Sequence, residues 1–274
     1  MGEAGWRMLD AKSLRNRDDI KFAILPLENQ TFNLPLGSGV LDYHSSIRGK
    51  FENSFSGGVM KDKEDLKSRR IKNEKLDNCT VVTVGIGNDV EAELKLQKLL
   101  PQCRFYGADP SLEQGKVYET SLNGSYFQTA VSSTDGLTNA SVLENDGYYR
   151  IRAGIPTKNF VDFITKNVGH KKIDYLFMDN EGAEYGILGQ FLFGRELEKA
   201  DVVVCQLSVE LHGPHEQYGM NETVFKGLIE DVLAKSPMMP IWSAEPINHM
   251  RSFYINVQHP YCVQRYFAVG DGQC

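Results

Sequence analysis

The sequence predicts an α/β fold: a mostly parallel, seven-stranded sheet with helices on both faces and an antiparallel strand at its C-terminal end. Three observations lead to this prediction. Short apolar runs rich in β-branched residues alternate with helix-like segments from Thr80 onward, as in a parallel sheet. The runs at 80–86, 173–179 and 201–207 are apolar almost throughout, which is typical of strands buried on both faces. The last two strands lie too close together in sequence for a parallel crossover.

The predicted elements follow one another in a regular order. The strands are 80–86, 103–109, 126–132, 173–179, 201–211, 238–244 and 251–257. The helices are 89–100, which Pro101 ends, 159–167, 183–193 and 222–235, and residues 137–153 are expected to form an extended excursion. A parallel return needs roughly a dozen residues, and the last two strands are separated by about six, so the last strand should be antiparallel. This topology is typical of class I methyltransferases, with their Rossmann-like sandwich, rather than of nucleotide dehydrogenases.

Composition and charge exclude several classes of protein. The 274 residues, 41% of them hydrophobic and 24% charged, are typical of a globular protein with a substantial core. A net charge of -6 makes nucleic acid an unlikely partner, because proteins that bind the phosphate backbone usually carry basic surfaces. No apolar run approaches the roughly 20 residues that cross a bilayer, so no membrane span is expected in this chain.

Cysteines, sequons and the N-terminal residues bear on the cellular compartment. Five cysteines show neither a CxxC motif nor metal-binding spacing, so reduced thiols are expected. Residues 1–10 contain no apolar segment of the signal-peptide type, and a cytoplasmic location is therefore favoured. A location in the lumen of the secretory pathway, after removal of an upstream anchor, stays open because five N-glycosylation sequons begin at Asn29, Asn78, Asn123, Asn139 and Asn221.

The first candidate site follows the first predicted strand, in Val84-Gly85-Ile86-Gly87-Asn88. Glycines at a strand end allow a sharp turn and a close approach of the backbone to a ligand. The helix that follows can direct its N-terminus at polar ligand groups. The third glycine of a GxGxxG motif is absent, so the motif alone does not separate a cofactor site from a tight turn.

Asp109 ends the second predicted strand, before Pro110. An acid at this position, about twenty residues after the glycines, can accept hydrogen bonds from both hydroxyls of a ribose. NAD and S-adenosylmethionine both contain such a ribose, so Asp109 favours an adenosine-type cofactor without choosing between them. The alternative is an N-cap for the helix after Pro110.

Three carboxylates follow the fourth predicted strand, in the segment DNEGAE at 179–184. The carboxyl ends of parallel strands are where open α/β sheets bind ligands. Acids also collect at helix starts because they favour the helix dipole. Asp179, however, directly ends an apolar strand, where a solvated acid has little reason to be, and we expect it to be functional.

The fifth strand ends in Glu210 and His212, which alternation places on the same side. A carboxylate beside an imidazole is a candidate general-base pair. Asp179, Glu210 and His212 could together hold a divalent metal, but three ligands make an incomplete set, and a metal-free site is ranked first. A polar strand end bonded to loop backbone is the alternative to both.

Four segments resemble the FkbM family of S-adenosylmethionine-dependent methyltransferases: VVTVGIGND, FYGADPS, FQTAVSSTDG and IDYLFMDNEGAEYGIL. The D-x-E-G-A-E segment at 179–184 is the most specific, and CQLSVELHG resembles the divergent members found in nematodes. The resemblance covers about residues 80–260. It implies a methyltransferase domain over residues 76–274 that binds S-adenosylmethionine, and residues 1–75 are expected to form a partly helical extension or cap.

The resemblance also implies roles by position. Gly85 and Gly87 would line the cofactor with their neighbours Val84 and Asn88. Asp109, followed by Pro110, would hold the ribose. Ser132 would lie near the adenine, and Asp179 would face the sulfonium or the acceptor.

The reaction implied by the resemblance is in-line SN2 transfer of a methyl group to a hydroxyl of a carbohydrate or small molecule. A hydroxyl must lose its proton during attack, and His212, neutral near pH 7, is the expected base, oriented by Glu210 or Glu181. Two alternatives stay open. One is an NAD-dependent oxidoreductase on a Rossmann fold, and the other is a non-catalytic, methyltransferase-like binding protein, which the altered glycine loop would fit.

Overall fold

The computed structural model describes residues 7–9, 23–25, 79–87, 89–143, 147–212, 220–244 and 249–266. Within the N-terminal segment it describes an antiparallel strand pair, β1 (Arg7–Leu9) and β2 (Ala23–Leu25). The predicted cap at 1–75 otherwise lies outside the described residues.

Ten further strands follow. They are β3 (Cys79–Val84), β4 (Cys103–Asp109), β5 (Ser125–Gln128), β6 (Ala130–Ser132), β7 (Gly136–Leu143), β8 (Tyr149–Asn159), β9 (Lys172–Met178), β10 (Val203–His212), β11 (Met238–Ala244) and β12 (His249–Asn256). Seven of them form the main sheet, in the order β11-β12-β10-β9-β3-β4-β5. The strands from β10 to β5 pair in parallel, whereas β12 is antiparallel to both β10 and β11. The predicted fold class is confirmed.

The helices pack on both faces of this sheet. They are α1 (Glu91–Leu99), α2 (Leu112–Leu122), α3 (Phe160–Asp162), which continues as a π-helical segment over Phe163–Val168, α4 (Glu184–Gly189), α5 (Glu196–Lys199), α6 (Glu222–Lys235) and α7 (Pro260–Tyr266). Alternate residues of the central strands enter two different cores, as Val82 and Val81 do in β3. The core containing Val82 also takes side chains from α3, α4 and α6, and the core containing Val81 takes them from α1, α2 and α7. Burial on both faces explains the near-continuous apolar runs in the sequence.

The predicted strand 126–132 is divided between two sheets. Its first part is the edge strand β5, and its second part is β6, in a three-stranded sheet of order β6-β8-β7. The backbone N–H of Thr129 donates to the carbonyl of Phe127 at 2.9 Å, a tight turn that takes the chain out of the main sheet. The predicted excursion at 137–153 forms most of this second sheet.

The hairpin of β7 and β8 has a register shift near its middle. The register passes from Thr138 opposite Ile155 to Ala140 opposite Arg152, so β8 carries an extra residue there. Gly154 lies in this step with φ 71°, a conformation that favours glycine. A bulge of this kind bends the strand that contains it.

Four of the five cysteines form two disulfides, Cys79–Cys103 and Cys205–Cys262. The expectation of reduced thiols is wrong for these four. Spacing along the chain did not reveal the pairs because the sheet and α7 bring the partners together. None of the described helices is long and apolar enough to cross a membrane.

Candidate functional site

The glycine loop after β3 is tied to both neighbouring strand ends. Gly85 donates its N–H to the carbonyl of Ala108 at 3.0 Å, and Asp179 donates its N–H to the carbonyl of Val84 at 2.9 Å. Gly85 has φ 78°, and a Cβ at this position would lie 1.7 Å from the carbonyl oxygen of Asp179. Only glycine allows the two loops to approach this closely.

Gly87 has a different environment. Its φ is 62°, yet no atom lies within 4 Å of the place that a Cβ would occupy. The position therefore favours glycine for its backbone conformation, and the space beside it is open. The next residue, Asn88, which was predicted to contact the cofactor, lies outside the described residues.

Asp109 is buried beneath this loop. Its Oδ2 accepts the N–H groups of Ile86 at 2.9 Å and Gly87 at 3.4 Å, and its Oδ1 accepts the N–H of Ser111 at 2.8 Å. Burial raises the pKa of Asp109, and the three N–H groups offset part of the effect. A carboxylate has about four acceptor positions, so one is left for a ligand hydroxyl. The prediction that Asp109 accepts hydrogen bonds from both ribose hydroxyls requires two free acceptor positions, one more than this arrangement leaves. Pro110, the residue that follows, is half-buried.

His212 lies at the end of β10 with carboxylates on both sides of its ring. Nδ1 is 3.0 Å from Oε1 of Glu184, a fully buried residue. Nε2 is 3.5 Å from Oε2 of Glu181 and 3.7 Å from Oδ1 of Asp179. The structure thus brings together Asp179, Glu181 and His212, which the sequence analysis singled out, and adds Glu184.

Glu184 is the first residue of α4, and it organises the loop before it. Its Oε1 accepts the N–H of Asn180 at 2.8 Å, and its Oε2 accepts the N–H of Gly182 at 2.6 Å. Glu181 has φ 54° and Gly182 has φ 101°, so the loop turns tightly enough to place Glu181 against His212. The sequence analysis expected Glu210 or Glu181 to orient His212; the structure places Glu184 on Nδ1 and Glu181 near Nε2. The sequence feature that could have identified Glu184 is its position as the last acid of the D-x-E-G-A-E segment.

Glu210 is paired with an arginine of the antiparallel strand. Arg251 Nε donates to its Oε2 at 2.7 Å, and the two residues are register partners between β10 and β12. His249 Nδ1 is 3.8 Å from the other oxygen, and the His249 ring meets the His212 ring edge-on at 4.7 Å. Sequence reasoning missed Arg251 and His249 because their approach depends on the register of β12.

The charges in this cluster shift one another's titration. Burial lowers the pKa of His212, but the hydrogen bond and charge of Glu184, with Asp179 and Glu181, outweigh it and raise this pKa to about 9. Burial, and then the charge of Glu210, raise the pKa of Asp179. Burial raises the pKa of Glu181 as well, although His212 opposes this. The carboxylates therefore favour the protonated form of His212, whereas the sequence analysis expected a neutral imidazole near pH 7.

Two groups of possible metal ligands occur among the described residues. Asp179, Glu184 and His212 form one, and Glu210, His212 and His249 form the other, with ligand atoms within 4.8 Å of one another. Neither is the predicted set of Asp179, Glu210 and His212. In each group one carboxylate already has other partners within the protein: Glu184 accepts two backbone N–H groups, and Glu210 is paired with Arg251.

The second sheet borders the same site. Asn180 Nδ2 donates to the carbonyl of Val131 at 2.7 Å, which places β6 beside the loop. Ser132, predicted to lie near the adenine, follows Val131, and its hydroxyl donates to the carbonyl of Thr134 at 2.7 Å. At the start of β8 the Tyr149 hydroxyl hydrogen-bonds to the Glu181 carboxylate. The side chains of Leu137, Tyr148, Tyr149 and Ile151 in this hairpin are exposed.

A family model described as "Methyltransferase FkbM domain" matches residues 46–240, well over half of the chain. No curated protein shows a significant match. Similar solved structures include a fibrillarin pre-rRNA processing protein of Methanococcus jannaschii, with 8% identity, a TM-score of 0.39, and coverage of 65% of this chain and 66% of that one, just under two thirds. A fibrillarin/Nop5p complex shows 11% identity and a TM-score of 0.39 over 70% and 78% of the two chains. The 1,6-didemethyltoxoflavin-N1-methyltransferase of Burkholderia thailandensis, with bound 1,6-didemethyltoxoflavin and S-adenosylhomocysteine, shows 12% identity and a TM-score of 0.32 over 82% and 93% of the two chains.

Proposed function

Because the chain belongs to the FkbM family of methyltransferases, we propose that it uses S-adenosylmethionine to methylate a hydroxyl group of a carbohydrate or a small molecule. The observation that carries the choice of cofactor is the occupation of the glycine-loop N–H groups. Those of Ile86 and Gly87 donate to the Asp109 carboxylate. A dinucleotide would need such groups for its pyrophosphate, whereas S-adenosylmethionine has no phosphate to hold. This argues against the NAD alternative.

The residues at this edge of the sheet fit the proposed cofactor. The open space beside Gly87 would be filled by any side chain there, and the remaining acceptor position of Asp109 suits one ribose hydroxyl. Ser132 and Asp179 border the same region from β6 and β9, since the Asn180 loop joins the two strands. When bound, S-adenosylmethionine supplies an electrophilic methyl group on a sulfonium.

His212 is the proton acceptor in this proposal. Glu184 holds Nδ1 in its N–H form, so in the neutral imidazole the free electron pair is on Nε2. Nε2 faces Asp179 and Glu181, whose oxygens can accept hydrogen bonds from acceptor hydroxyls and so orient them. With a pKa of about 9, neutral His212 is a stronger base than an ordinary histidine. Only a small fraction of the histidine is neutral at pH 7, and that fraction rises as pH approaches 9.

The hairpin of β7 and β8 supports an acceptor with a ring. Tyr149 reaches Glu181, and Ile151, two residues further along β8, is on the same face of the strand, so the exposed side chains of these two residues border the proposed acceptor site. Carboxylates that accept hydroxyl hydrogen bonds, beside an aromatic ring that packs on an apolar face, match a sugar, which presents both kinds of surface.

Methyl transfer tests this proposal. The protein is incubated with S-adenosylmethionine labelled in its methyl group and with a panel of methyl glycosides, simple amines and carboxylic acids. We expect label in the glycosides as base-stable ethers, with kcat/KM rising as pH approaches about 9 and lost in His212→Gln. Label in amines, or in base-labile esters, would contradict O-methylation of a hydroxyl. A kcat/KM that does not change between pH 6 and 9 would move the base from His212 to Glu181.

A further inference from the structure

The cysteines are paired in a way that points to a compartment. All four cysteines of the described part of the chain are in disulfides, and all four are buried. Cys79–Cys103 joins the first residues of two adjacent strands, and Cys205–Cys262 fixes α7 to β10, an interior strand of the main sheet. Redox-active cysteines are accessible and lie in electropositive surroundings, whereas these lie in a core of apolar side chains. Both bonds are therefore structural, and structural disulfides form in oxidising compartments.

The sequons give a second, independent observation. Three of the five lie in the described residues, and their asparagines Asn123, Asn139 and Asn221 are all exposed. Asn123 follows α2 with φ 52°, a left-handed residue at the helix end. Asn139 lies on β7, one of the two edge strands of the second sheet. Asn221 differs because its Oδ1 caps α6 by accepting the N–H of Val224. Asn29 and Asn78 lie outside the described residues.

We infer that this chain matures in the lumen of the secretory pathway, where both disulfides form and where Asn123 and Asn139 receive N-linked glycans. The co-reactant is an oligosaccharide carried on a lipid pyrophosphate. The Asn amide nitrogen bonds to the anomeric carbon of the first sugar, the bond from that carbon to the pyrophosphate oxygen breaks, and the amide gives up one proton. The inference does not depend on the proposed methyl transfer, and it replaces the cytoplasmic location favoured by the sequence analysis.

Glycan removal tests the modification sites. Full-length protein is produced in cultured animal cells behind a cleavable secretion leader and treated with peptide-N-glycosidase. We expect the wild type to lose mass, Asn123→Gln and Asn139→Gln each to lack one glycan, and Asn167→Gln to match the wild type. Asn167 is an exposed asparagine outside any sequon, and it is the matched control. Unmodified Asn123 and Asn139 in folded, secreted protein would overturn the assignment.

Thiol labelling and the endogenous protein test the compartment. Alkylation of the folded, secreted protein without reductant should leave Cys79, Cys103, Cys205 and Cys262 unlabelled, and alkylation after denaturation and reduction should label them all. The endogenous chain, detected by antibody in cells that produce it, should shift in mass with the same glycosidase. Labelling of these four cysteines in the denatured but unreduced protein, or an endogenous chain that the glycosidase leaves unchanged, would overturn the inference.

Discussion

His212 links the stability of the protein to pH. Its pKa is raised from 6.5 to about 9 by the carboxylates around it. A raised histidine pKa means that the fold stabilises the protonated form, so the contribution is fully present below about pH 6.5 and is lost as pH rises toward about 9. We predict that His212→Gln is destabilised most at low pH. The difference in the free energy of unfolding between this variant and the wild type should shrink by up to about 3 kcal/mol as pH rises across this range. Urea unfolding at several pH values measures it, and a difference independent of pH would contradict the assignment.

Glu184 is the residue that holds His212 in this form. Glu184→Gln keeps the shape but removes the charge 3.0 Å from Nδ1, so the pKa of His212 should fall. Loss of a buried, charged partner should also cost about 1–3 kcal/mol of stability. NMR titration of the imidazole measures the pKa directly. Glu181→Gln, with a partner atom 3.5 Å away and a more exposed side chain, is the control and should have the smaller effect. Equal shifts in the two variants would contradict the role of Glu184.

At the scale of residues, the sequence identified the side chains of the candidate site better than it identified the residues with which they interact. Asp179 and His212 could be selected because they end apolar strands, where burial of a polar group needs a reason. The role of Glu184 depends on the left-handed backbone at Glu181, which no spacing rule predicts for a non-glycine residue. The pairing of Glu210 with Arg251 depends on the register of β10 against β12. These strands are joined through α6 and β11, and not by a short turn that would fix the register.

At the scale of elements, the hairpin of β7 and β8 contributes to the site through Tyr149. Tyr149→Phe removes the hydroxyl that hydrogen-bonds to Glu181. The Tyr149 side chain is exposed, and a hydrogen bond contributes about 1 kcal/mol, so we predict that KM for the acceptor rises on the order of threefold to tenfold. Affinity for S-adenosylhomocysteine should not change.

Tyr148→Phe is the comparison for this prediction, because it removes the same group from the adjacent residue. Steady-state kinetics with the acceptor found by methyl transfer, together with calorimetry for S-adenosylhomocysteine, separate the two effects. An unchanged KM in Tyr149→Phe, or a loss of cofactor affinity, would contradict a role of the hairpin in acceptor binding.

The elements themselves followed from local patterns. The strand at 103–109 and the helix at 222–235 have the predicted bounds, since apolar periodicity and flanking breakers define both. The division of 126–132 was not predicted, because a single hydrogen bond at Thr129 turns the chain between two sheets, and the sequence there reads as one continuous strand. Helix α7 was also missed: its seven residues are too few for a clear period.

At the scale of the whole molecule, the disulfides close long loops. Cys205 and Cys262 are 57 residues apart, and the chain-entropy estimate for a loop of this length is about 4 kcal/mol. We predict that the double variant Cys205→Ser/Cys262→Ser loses stability of this order under oxidising conditions. Urea unfolding measures the loss. The single variant Cys274→Ser, at a position outside both disulfides, is the control. A double variant as stable as the wild type would contradict a structural role for the bond.

The central claim is that the glycine loop binds S-adenosylmethionine, and calorimetric titration with S-adenosylhomocysteine tests it most directly. Gly87 and Gly169 have φ 62° and 74°, and neither has an atom within 4 Å of a would-be Cβ, so alanine costs about the same backbone strain at both positions, 1–2 kcal/mol. We predict tight binding to the wild type and to Gly169→Ala, binding weakened at least tenfold in Gly87→Ala, and no binding of NAD. Binding of NAD in place of S-adenosylhomocysteine, or equal affinity in the two glycine variants, would contradict the account.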